Sequence, residues 1–243
     1  MKTLVIIPSR LSATRLPGKP LLKINGLSII SHVFKKAEKA NIGEVIVATE
    51  DQEIFEDVKK NGGQVLLTSN QHKTGTDRIH EAFMKIARPD VDLVMNLQGD
   101  EPLMDIEDIK NLNSLMKEQK SLLGTLASNI IDQTSYEDKN IVKVITRDSL
   151  DINNFPEAKT FTRSSQVNQN IYHHLGIYCY QVETLKKFVS FKQSKSEIRD
   201  KLEQLRALDN NIKINVALAK SSPIGVDTKE DFVAIKKIME YKS

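Results

Sequence analysis

The sequence has little of several residue types on which other classes of protein depend. Cys179 is the single cysteine among 243 residues, so neither an intramolecular disulfide nor a cluster of cysteine metal ligands can form within one chain. Tryptophan is absent and aromatic residues make up 5% of the chain, which leaves few stacking platforms for nucleic-acid bases. Apolar runs end after about half a dozen residues, whereas a membrane-spanning helix needs about 20. We therefore expect neither a disulfide-stapled fold nor a membrane span.

Neither sign of charge predominates in the sequence. The 35 basic and 32 acidic residues give a net charge of +3 and are interspersed along the chain, so no basic arm indicates binding to nucleic acid. A hydrophobic fraction of 40% is enough for one substantial core or two joined lobes. The apolar stretch 4–7 is too short for a signal peptide. These features together predict a cytoplasmic protein.

Short β-branched runs alternate with helical patterns from the first residue onward. This alternation predicts an α/β fold with a mostly parallel, doubly wound sheet. The first half is expected to contain strands over 4–7, 45–48, 65–67 and 93–97 and helices over about 29–37, 51–60 and 77–87. Gly62 and Gly63 are expected to end the second helix as a glycine C-cap.

The middle of the chain predicts an inserted, smaller α/β lobe. The strand-like runs there are 122–130, 141–146 and 171–180. We expect one lobe over approximately 1–120 plus 210–243 and the other over approximately 121–209. The polar stretch 148–170 is predicted to be a mobile loop. The chain then predicts a helix with Ile198, Leu202, Leu205 and Leu208 on one face, a strand over 214–218 and a final helix from Thr228.

The loop that follows the first strand carries three cations. Arg10, Arg15 and Lys19 lie between residues 9 and 20, together with Gly18 and two prolines. In an open α/β sheet, ligands bind at the carboxyl ends of the strands. Charge-assisted hydrogen bonds from these side chains would suit a polyphosphate, although the loop is neither a Walker A motif nor a dinucleotide fingerprint. The alternative is a solvated loop of surface cations.

Five segments in order resemble the 3-deoxy-manno-octulosonate cytidylyltransferases, also called CMP-KDO synthetases. They span nearly the whole chain and are Ile7-Pro8-Ser9-Arg10 through Pro20, Gly75-Thr76-Asp77-Arg78-Ile79, Asn96-Leu97-Gln98-Gly99-Asp100-Glu101-Pro102, Leu202-Glu203-Gln204-Leu205-Arg206-Ala207-Leu208 and Gly225-Val226-Asp227-Thr228. The resemblance implies a nucleotide-diphospho-sugar transferase-like fold with a nucleotide-binding lobe and a lobe for sugar binding and dimerisation. Two segments depart from the usual sequence of this family: Gln71-His72-Lys73-Thr74 and Thr162-Arg163-Ser164-Ser165-Gln166-Val167. They bear on which sugar is used more than on the type of reaction.

The resemblance also implies roles for individual residues. The catalytic residues would be Lys19, Asp100, Asp227 and Arg10, with Asp100 and Asp227 as metal ligands. The nucleotide would be bound by Pro8, Ser9, Arg10, Arg15, Lys19, Gly75, Arg78, Leu97 and Gln98. The sugar would be bound by Gln98, Arg163, His174, Tyr178, Glu203 and Gln204.

The residues alone leave structural alternatives open for most of these positions. Asp227 with Glu230 has the spacing of an N-terminal capping box, and Thr76 or Asp77 would serve as an N-cap. A buried amide would explain Gln98, and a hydrogen-bonded structural histidine would explain His174. Arg163 suits an ordinary exposed arginine, and Glu203 lies at a spacing for surface ion pairs with Arg199 and Arg206.

The reaction that the resemblance implies is Mg²⁺-dependent transfer of CMP from CTP to the anomeric hydroxyl of 3-deoxy-D-manno-octulosonate (KDO), with release of pyrophosphate. The enzyme would be a cytoplasmic homodimer in lipopolysaccharide synthesis, without nucleic-acid or membrane partners. The alternatives are the same chemistry on 8-amino-KDO or on a nonulosonic acid such as N-acetylneuraminate, uridylyl or thymidylyl transfer to a sugar 1-phosphate, and a catalytically silent nucleotide-binding regulator.

Overall fold

The structure is a computed structural model that describes residues 1–12, 15–130, 133–164 and 169–241. The chain divides into two compact units. One, which we call the flanking unit, consists of Lys2–Ile106 and Pro223–Ser243. The other, the inserted unit, consists of Glu107–Ser222 with Met1. The inserted unit thus interrupts the flanking unit in the chain.

The elements follow the alternation expected of an α/β protein. The strands are β1 (Thr3–Ser9), β2 (Lys23–Ile24), β3 (Leu27–Ser28), β4 (Gly43–Thr49), β5 (Val65–Leu67), β6 (Leu93–Asn96), β7 (Leu123–Ser128), β8 (Lys143–Thr146), β9 (Ala158–Thr162), β10 (Ile171–Gln181) and β11 (Asn215–Leu218). The helices are α1 (Ile29–Ala40), α2 (Gln52–Lys60), α3 (Gly75–Ile86), α4 (Ile106–Gln119), α5 (Gln133–Glu137), α6 (Val182–Ser190), α7 (Lys195–Asp200), α8 (Leu205–Asp209) and α9 (Lys229–Tyr241). A short 3₁₀ helix spans Lys19–Leu21. No described helix is long and apolar enough to cross a membrane.

The flanking unit is built on a parallel sheet. β1 pairs in parallel with both β4 and β6, and β4 pairs in parallel with β5. Leu4, Val5, Ile6 and Ile7 of β1 are at most 1% exposed, because a parallel strand with helices on both faces is buried on both sides. The predicted parallel α/β architecture is confirmed, and the carboxyl ends of β1 and β6 lie side by side.

The inserted unit has a mixed sheet. β7 pairs in parallel with β11 and antiparallel with β10, and β8 pairs antiparallel with β10 and β9. α4 and β11 both belong to this unit, although the sequence placed them with the first lobe. The reason is packing on β7, where a Cβ at Gly124 would lie 2.6 Å from Met116 Sδ of α4.

The expected mobile loop over 148–170 contains a strand. β9 pairs with β8, with Phe161 opposite Val144, and the Phe161 side chain is 2% exposed. The prediction of one long loop is therefore wrong for this stretch, because Ala158–Thr162 forms a strand by pairing with β8, which no local pattern indicates. Residues 165–168 of the expected loop lie outside the described residues.

The expected single helix through Ile198 and Leu208 is two short helices. Lys201 has a φ of +53° and ends α7, so Ile198 is 61% exposed while Leu202 is 4% exposed. A buried ion pair joins the two helices. Two guanidinium nitrogens of Arg206 donate to the Glu197 carboxylate, Nε at 2.8 Å and Nη2 at 2.5 Å. The predicted apolar face is corrected accordingly.

Arg206→Met is expected to destabilise the protein strongly. Both side chains of the pair are 4% exposed, so removing the guanidinium leaves a buried carboxylate, which costs about 3–5 kcal/mol. Arg199→Met is the matched control, because Arg199 is 75% exposed in its pair with Asp200 and exposed pairs contribute little to stability. Urea denaturation measures both changes. Equal, small losses in the two variants would contradict the buried-pair interpretation.

Candidate active site

A cavity of about 360 Å³ lies in the flanking unit at the carboxyl ends of β1 and β6. Its lining includes ten of the residues singled out from the sequence: Pro8, Ser9, Arg10, Arg15, Lys19, Gly75, Arg78, Gln98, Asp100 and Asp227. The remaining residues that line it are Ser12, Pro20, His72, Thr74 and Gly99. The Leu97 side chain is instead buried, at 1% exposed. The cavity therefore gathers most of the predicted nucleotide-binding and metal-binding residues.

Close backbone approach at the sheet edge requires a glycine. A Cβ on Gly99 would lie 3.0 Å from the carbonyl oxygen of Pro8 and 3.2 Å from Cδ1 of Ile30. Because Gly99 has no Cβ, the loop after β6 packs directly on the end of β1. Asp100 is thereby held at the cavity beside Pro8 and Ser9.

The cationic loop is anchored at both of its described ends. The Leu11 N–H donates to Asp51 Oδ2 at 2.7 Å, and the Gly18 N–H donates to the Leu11 carbonyl at 3.2 Å. Gly18 has a φ of +70°, a conformation that favours glycine, and the chain turns there into the 3₁₀ helix that carries Lys19. This turn directs Lys19 toward the cavity.

Lys19 joins the two carboxylates that were predicted to bind metal. Its Nζ donates to Asp100 Oδ2, to Asp227 Oδ1 at 3.2 Å and to the Val226 carbonyl at 2.9 Å. Arg15 pairs with Asp227 Oδ2 at 2.8 Å. Burial alone would lower the pKa of Lys19, but Asp100 and Asp227 raise it above its ordinary value. The structure thus brings three predicted catalytic residues to one point.

Asp227 is not the N-cap of the final helix. Thr228 is the cap, since its Oγ1 accepts from the Asp231 N–H at 3.1 Å and Asp231 Oδ2 accepts from the Thr228 N–H at 2.8 Å. The capping box expected for Asp227 and Glu230 is therefore wrong by one residue. The shift leaves the Asp227 carboxylate facing the cavity cations.

Glu101 lies next to this cluster and is partly exposed, but its Oε2 atom is buried. Its Oε2 has no hydrogen-bond partner among the described residues. Burial, and then the charges of Asp100 and Asp227, raise the pKa of Glu101 to about 8. The neutral acid therefore predominates near pH 7, which limits the negative charge at this edge to the two aspartates.

The donor set at the cluster fits Mg²⁺. No group of three or more His, Cys, Asp or Glu side chains suited to a metal occurs within the described part of the chain. Asp100 and Asp227 contact the same Lys19 atom, so their oxygens converge on one cation position. Mg²⁺ is commonly held by one or two carboxylates together with substrate phosphates, and two converging carboxylates beside free space in a cationic cavity match that pattern.

Arg78 is buried at the other end of the cavity. α3 begins at Gly75, two residues earlier than expected, and Thr74 is its N-cap, so the N-caps expected at Thr76 or Asp77 are wrong. Arg78 is 2% exposed, pairs with Glu50 and donates to Thr68 Oγ1 at 2.6 Å. The start of α3 and the Arg78 guanidinium, which its hydrogen bonds hold in place, together form one wall of the cavity.

His72 was named from the sequence only within the departing segment 71–74, without a role, yet it lines the cavity. Its Nε2 bonds Glu81 Oε2, and the same carboxylate accepts from the Ser69 N–H at 3.0 Å. Lys85 pairs with Glu81 at 2.7 Å. Burial alone would raise the pKa of Glu81, but hydrogen bonds from Lys85, His72 and Ser69 lower it to about 2. The nine-residue separation of His72 from Glu81 matches no local motif, which is why sequence reasoning missed the pair.

His174 and Tyr178 lie together in the inserted unit, as their spacing predicted. Their ring centroids are 5.5 Å apart, although the pairing of β10 with β7 shifts between Leu175 and Tyr178. His174 Nε2 is 3.0 Å from Thr125 Oγ1. Burial lowers the pKa of His174 to about 3, so the ring is neutral at physiological pH.

The other residues predicted for the sugar also belong to the inserted unit, except Gln98. Arg163 donates from Nη1 to the Lys139 carbonyl at 3.2 Å and from Nε to the Asp200 carbonyl at 3.4 Å, so it is held by backbone rather than freely solvated. Burial, followed by the charges of Tyr180 and Glu203, raises the pKa of Tyr178 well above its ordinary value. Gln204 is 7% exposed.

The parallel sheet with a cationic cavity at its carboxyl edge defines an α/β protein of the nucleotide-binding class. A family model described as cytidylyltransferase matches residues 4–214. The 3-deoxy-manno-octulosonate cytidylyltransferase of Bartonella tribocorum is 40% identical over 98% of this chain and 99% of its own length. That of Thermodesulfovibrio yellowstonii is 40% identical over 98% of both chains. The chain belongs to the 3-deoxy-manno-octulosonate cytidylyltransferases of the cytidylyltransferase family.

Solved structures give the same result for the fold. A CMP:2-keto-3-deoxy-manno-octonic acid synthetase solved in complex with CTP aligns over 100% of both chains, with a TM-score of 0.90 and 32% identity. A UDP-glucose pyrophosphorylase in complex with UDP-glucose aligns over 100% of both chains, with a TM-score of 0.75 at 14% identity. The second likeness shows the fold alone.

Glu81→Gln is expected to raise KM for CTP by about 10- to 150-fold while kcat changes little, because loss of a hydrogen bond to a charged group costs about 1.5–3 kcal/mol and the cost falls on the loop that carries His72. The hydrogen bonds of Glu81 also depend on pH. Because its pKa is lowered to about 2, the carboxylate keeps these bonds at and above its ordinary pKa and loses them as the pH falls toward 2. Steady-state kinetics with CTP as the varied substrate measure the effect.

The control for this substitution is Glu53→Gln, the same chemical change at an exposed position of α2. An unchanged KM for CTP in Glu81→Gln, or the same change in both variants, would show that the Glu81 contacts do not position the cavity wall.

Proposed function

We propose that the chain transfers CMP from CTP to the anomeric hydroxyl of KDO, giving CMP-KDO and pyrophosphate, for lipopolysaccharide synthesis. The observation that carries the proposal is the convergence of Asp100, Asp227 and Lys19 at the ligand edge of the sheet, in a chain of this family. Two carboxylates and several cations in one cavity suit a substrate that arrives as a polyphosphate with its metal. Mg²⁺ is the metal we propose.

The catalytic power of this site would come from positioning and charge neutralisation. Lys19, Arg10 and Arg15 line the cavity and offset the negative charge of the triphosphate. Asp100 and Asp227 hold the metal. When bound, Mg²⁺ supplies polarisation of the α-phosphate and a lowered pKa for the attacking hydroxyl. In-line attack on the α-phosphorus then requires the sugar hydroxyl to be held opposite the pyrophosphate leaving group.

The nucleoside would occupy the wall between the end of β1 and the start of α3. Gly75 lies against Pro8, since a Cβ on Gly75 would be 3.4 Å from Pro8 Cγ, and both residues line the cavity. Arg78 is fixed by Glu50 and Thr68, so it presents its remaining donors in a constant orientation. Ser9 and Gln98, which line the cavity, complete the proposed nucleotide-binding set.

The sugar acid would be recognised by the cluster of predicted sugar-binding residues in the inserted unit. Arg163 would pair with the sugar carboxylate, and its backbone contacts hold the guanidinium in place for that role. His174, Tyr178, Glu203 and Gln204 would bind hydroxyls. The neutral state of His174, which its lowered pKa maintains, allows one ring nitrogen to donate and the other to accept.

Pyrophosphate release tests the proposal directly. We expect release with CTP, KDO and Mg²⁺, and none with EDTA, with UTP or without acceptor. The acceptor panel includes 8-amino-KDO and N-acetylneuraminate, and a preference for either would move the substrate while keeping the reaction. No release with any acceptor would contradict enzymatic function and favour a silent nucleotide-binding regulator.

Asp100→Asn is the matching variant in the same assay. Loss of a metal ligand removes several kcal/mol of charge stabilisation, so turnover should fall at least about 100-fold. Asp148→Asn is the control, since it makes the same change at an exposed position outside the cavity. Near-normal turnover in Asp100→Asn would refute the assigned role.

Tyr178→Phe is expected to raise KM for KDO about five- to tenfold, the cost of one lost hydrogen bond of about 1 kcal/mol, with KM for CTP unchanged. Tyr172→Phe is the control on the same strand, where the hydroxyl accepts from the Leu150 N–H at 2.9 Å. Kinetics with each substrate varied separately distinguish the two. A change in KM for CTP alone would contradict the sugar assignment of Tyr178.

A further inference from the structure

Lys19 occupies the position on which the two proposed metal ligands converge. Its ammonium nitrogen contacts one oxygen of Asp100 and one of Asp227, and the Val226 carbonyl gives it a third acceptor at 2.9 Å. The Lys19 side chain is 14% exposed. These three oxygens use all three N–H donors of the ammonium group, so none remains directed at a phosphate.

A metal ion held by the same carboxylates cannot share that position. Mg²⁺ binds carboxylate oxygens at about 2.0–2.1 Å, so an ion that used Asp100 Oδ2 and Asp227 Oδ1 would compete with the Lys19 nitrogen for the two oxygens to which it donates. Two cations on the same oxygens repel each other strongly. Lys19 must therefore leave at least one carboxylate when a metal binds.

The charges of the cluster support an exchange of partners. Asp100 and Asp227 carry two negative charges, and Lys19 and Arg15 pair with them directly. A divalent cation brings the same charge as these two side chains together, and it frees both of them for the phosphates. The flexible stem of lysine lets the ammonium group move between neighbouring anions.

We propose that Lys19 and the divalent metal exchange on Asp100 and Asp227, so that metal binding releases the Lys19 ammonium to the nucleotide phosphates. The inference rests on the proposed function for the location of the metal. Its consequence is strong positive coupling: the metal binds weakly to the protein alone and tightly with CTP, whose phosphates accept the displaced lysine. By linkage, the metal strengthens CTP binding by the same factor.

The test is Mn²⁺ binding, measured from the free-Mn²⁺ signal in electron paramagnetic resonance, with no sugar present, without CTP and with CTP after subtraction of the Mn²⁺ that the same CTP binds without protein. Without nucleotide, Lys19→Met should bind Mn²⁺ about tenfold more tightly than the unsubstituted protein, a coupling of ordinary size. CTP should strengthen Mn²⁺ binding in the unsubstituted protein by more than it does in Lys19→Met. A gain in metal affinity on removal of a catalytic cation is a result that misfolding would not produce.

Two further variants separate charge from packing. Lys19→Arg keeps the positive charge and should keep weak Mn²⁺ binding, whereas tightening equal to that in Lys19→Met would overturn the proposal. Lys23→Met, at an exposed position, should leave Mn²⁺ binding unchanged, and tightening there would overturn it too, because general surface charge would explain the gain.

The remaining outcomes distinguish this inference from the proposed function. Equal or weaker Mn²⁺ binding in Lys19→Met without nucleotide overturns the exchange, while Mn²⁺ binding that depends on Asp100 still supports the metal site. Mn²⁺ binding that is unaffected by Asp100→Asn in the presence of CTP overturns the location of the metal and the exchange with it.

Discussion

The mutual attraction of two aspartates and one lysine is the interaction on which the candidate site depends. Lys19 meets Asp100 across 81 positions of the chain and Asp227 across 208. Carboxylates brought this close to one cation would repel each other, and the Lys19 ammonium between them offsets that repulsion. The parallel sheet places these loops at one edge, and the ion pairs of Lys19 with Asp100 and Asp227 fix their relative positions.

Other features of the flanking unit follow from that closure. Val226 donates its N–H to the Asp100 carbonyl at 2.9 Å, which joins the segment before α9 to the loop after β6. A small apolar cluster with Ile24, Ile29, Val226 and Ile235 fully buried holds the base of this junction. Chain segments from the start and end of the sequence thus share one core, and this explains how an inserted unit can interrupt the fold without separating the catalytic residues.

Local patterns predicted most elements of the flanking unit, because their strands are short continuous apolar runs and their helices have clear apolar faces, but they did not predict the two-residue strands β2 and β3 or the 3₁₀ helix. The same reasoning failed where structure depends on a distant partner. β9 is recognisable only from its pairing with β8, and the break at Lys201 depends on a buried pair between Glu197 and Arg206. The sheet edge and the family resemblance led to Lys19, Asp100 and Asp227, but no local signal identified His72.

The most direct test of the central claim is a crystal structure with CTP and Mn²⁺, with the metal located by its anomalous scattering. The account predicts one Mn²⁺ bound by oxygens of both Asp100 and Asp227 and by CTP phosphate, with the Lys19 nitrogen moved onto a phosphate oxygen. A metal bound by the nucleotide alone, with Lys19 still bridging the two aspartates, would contradict it.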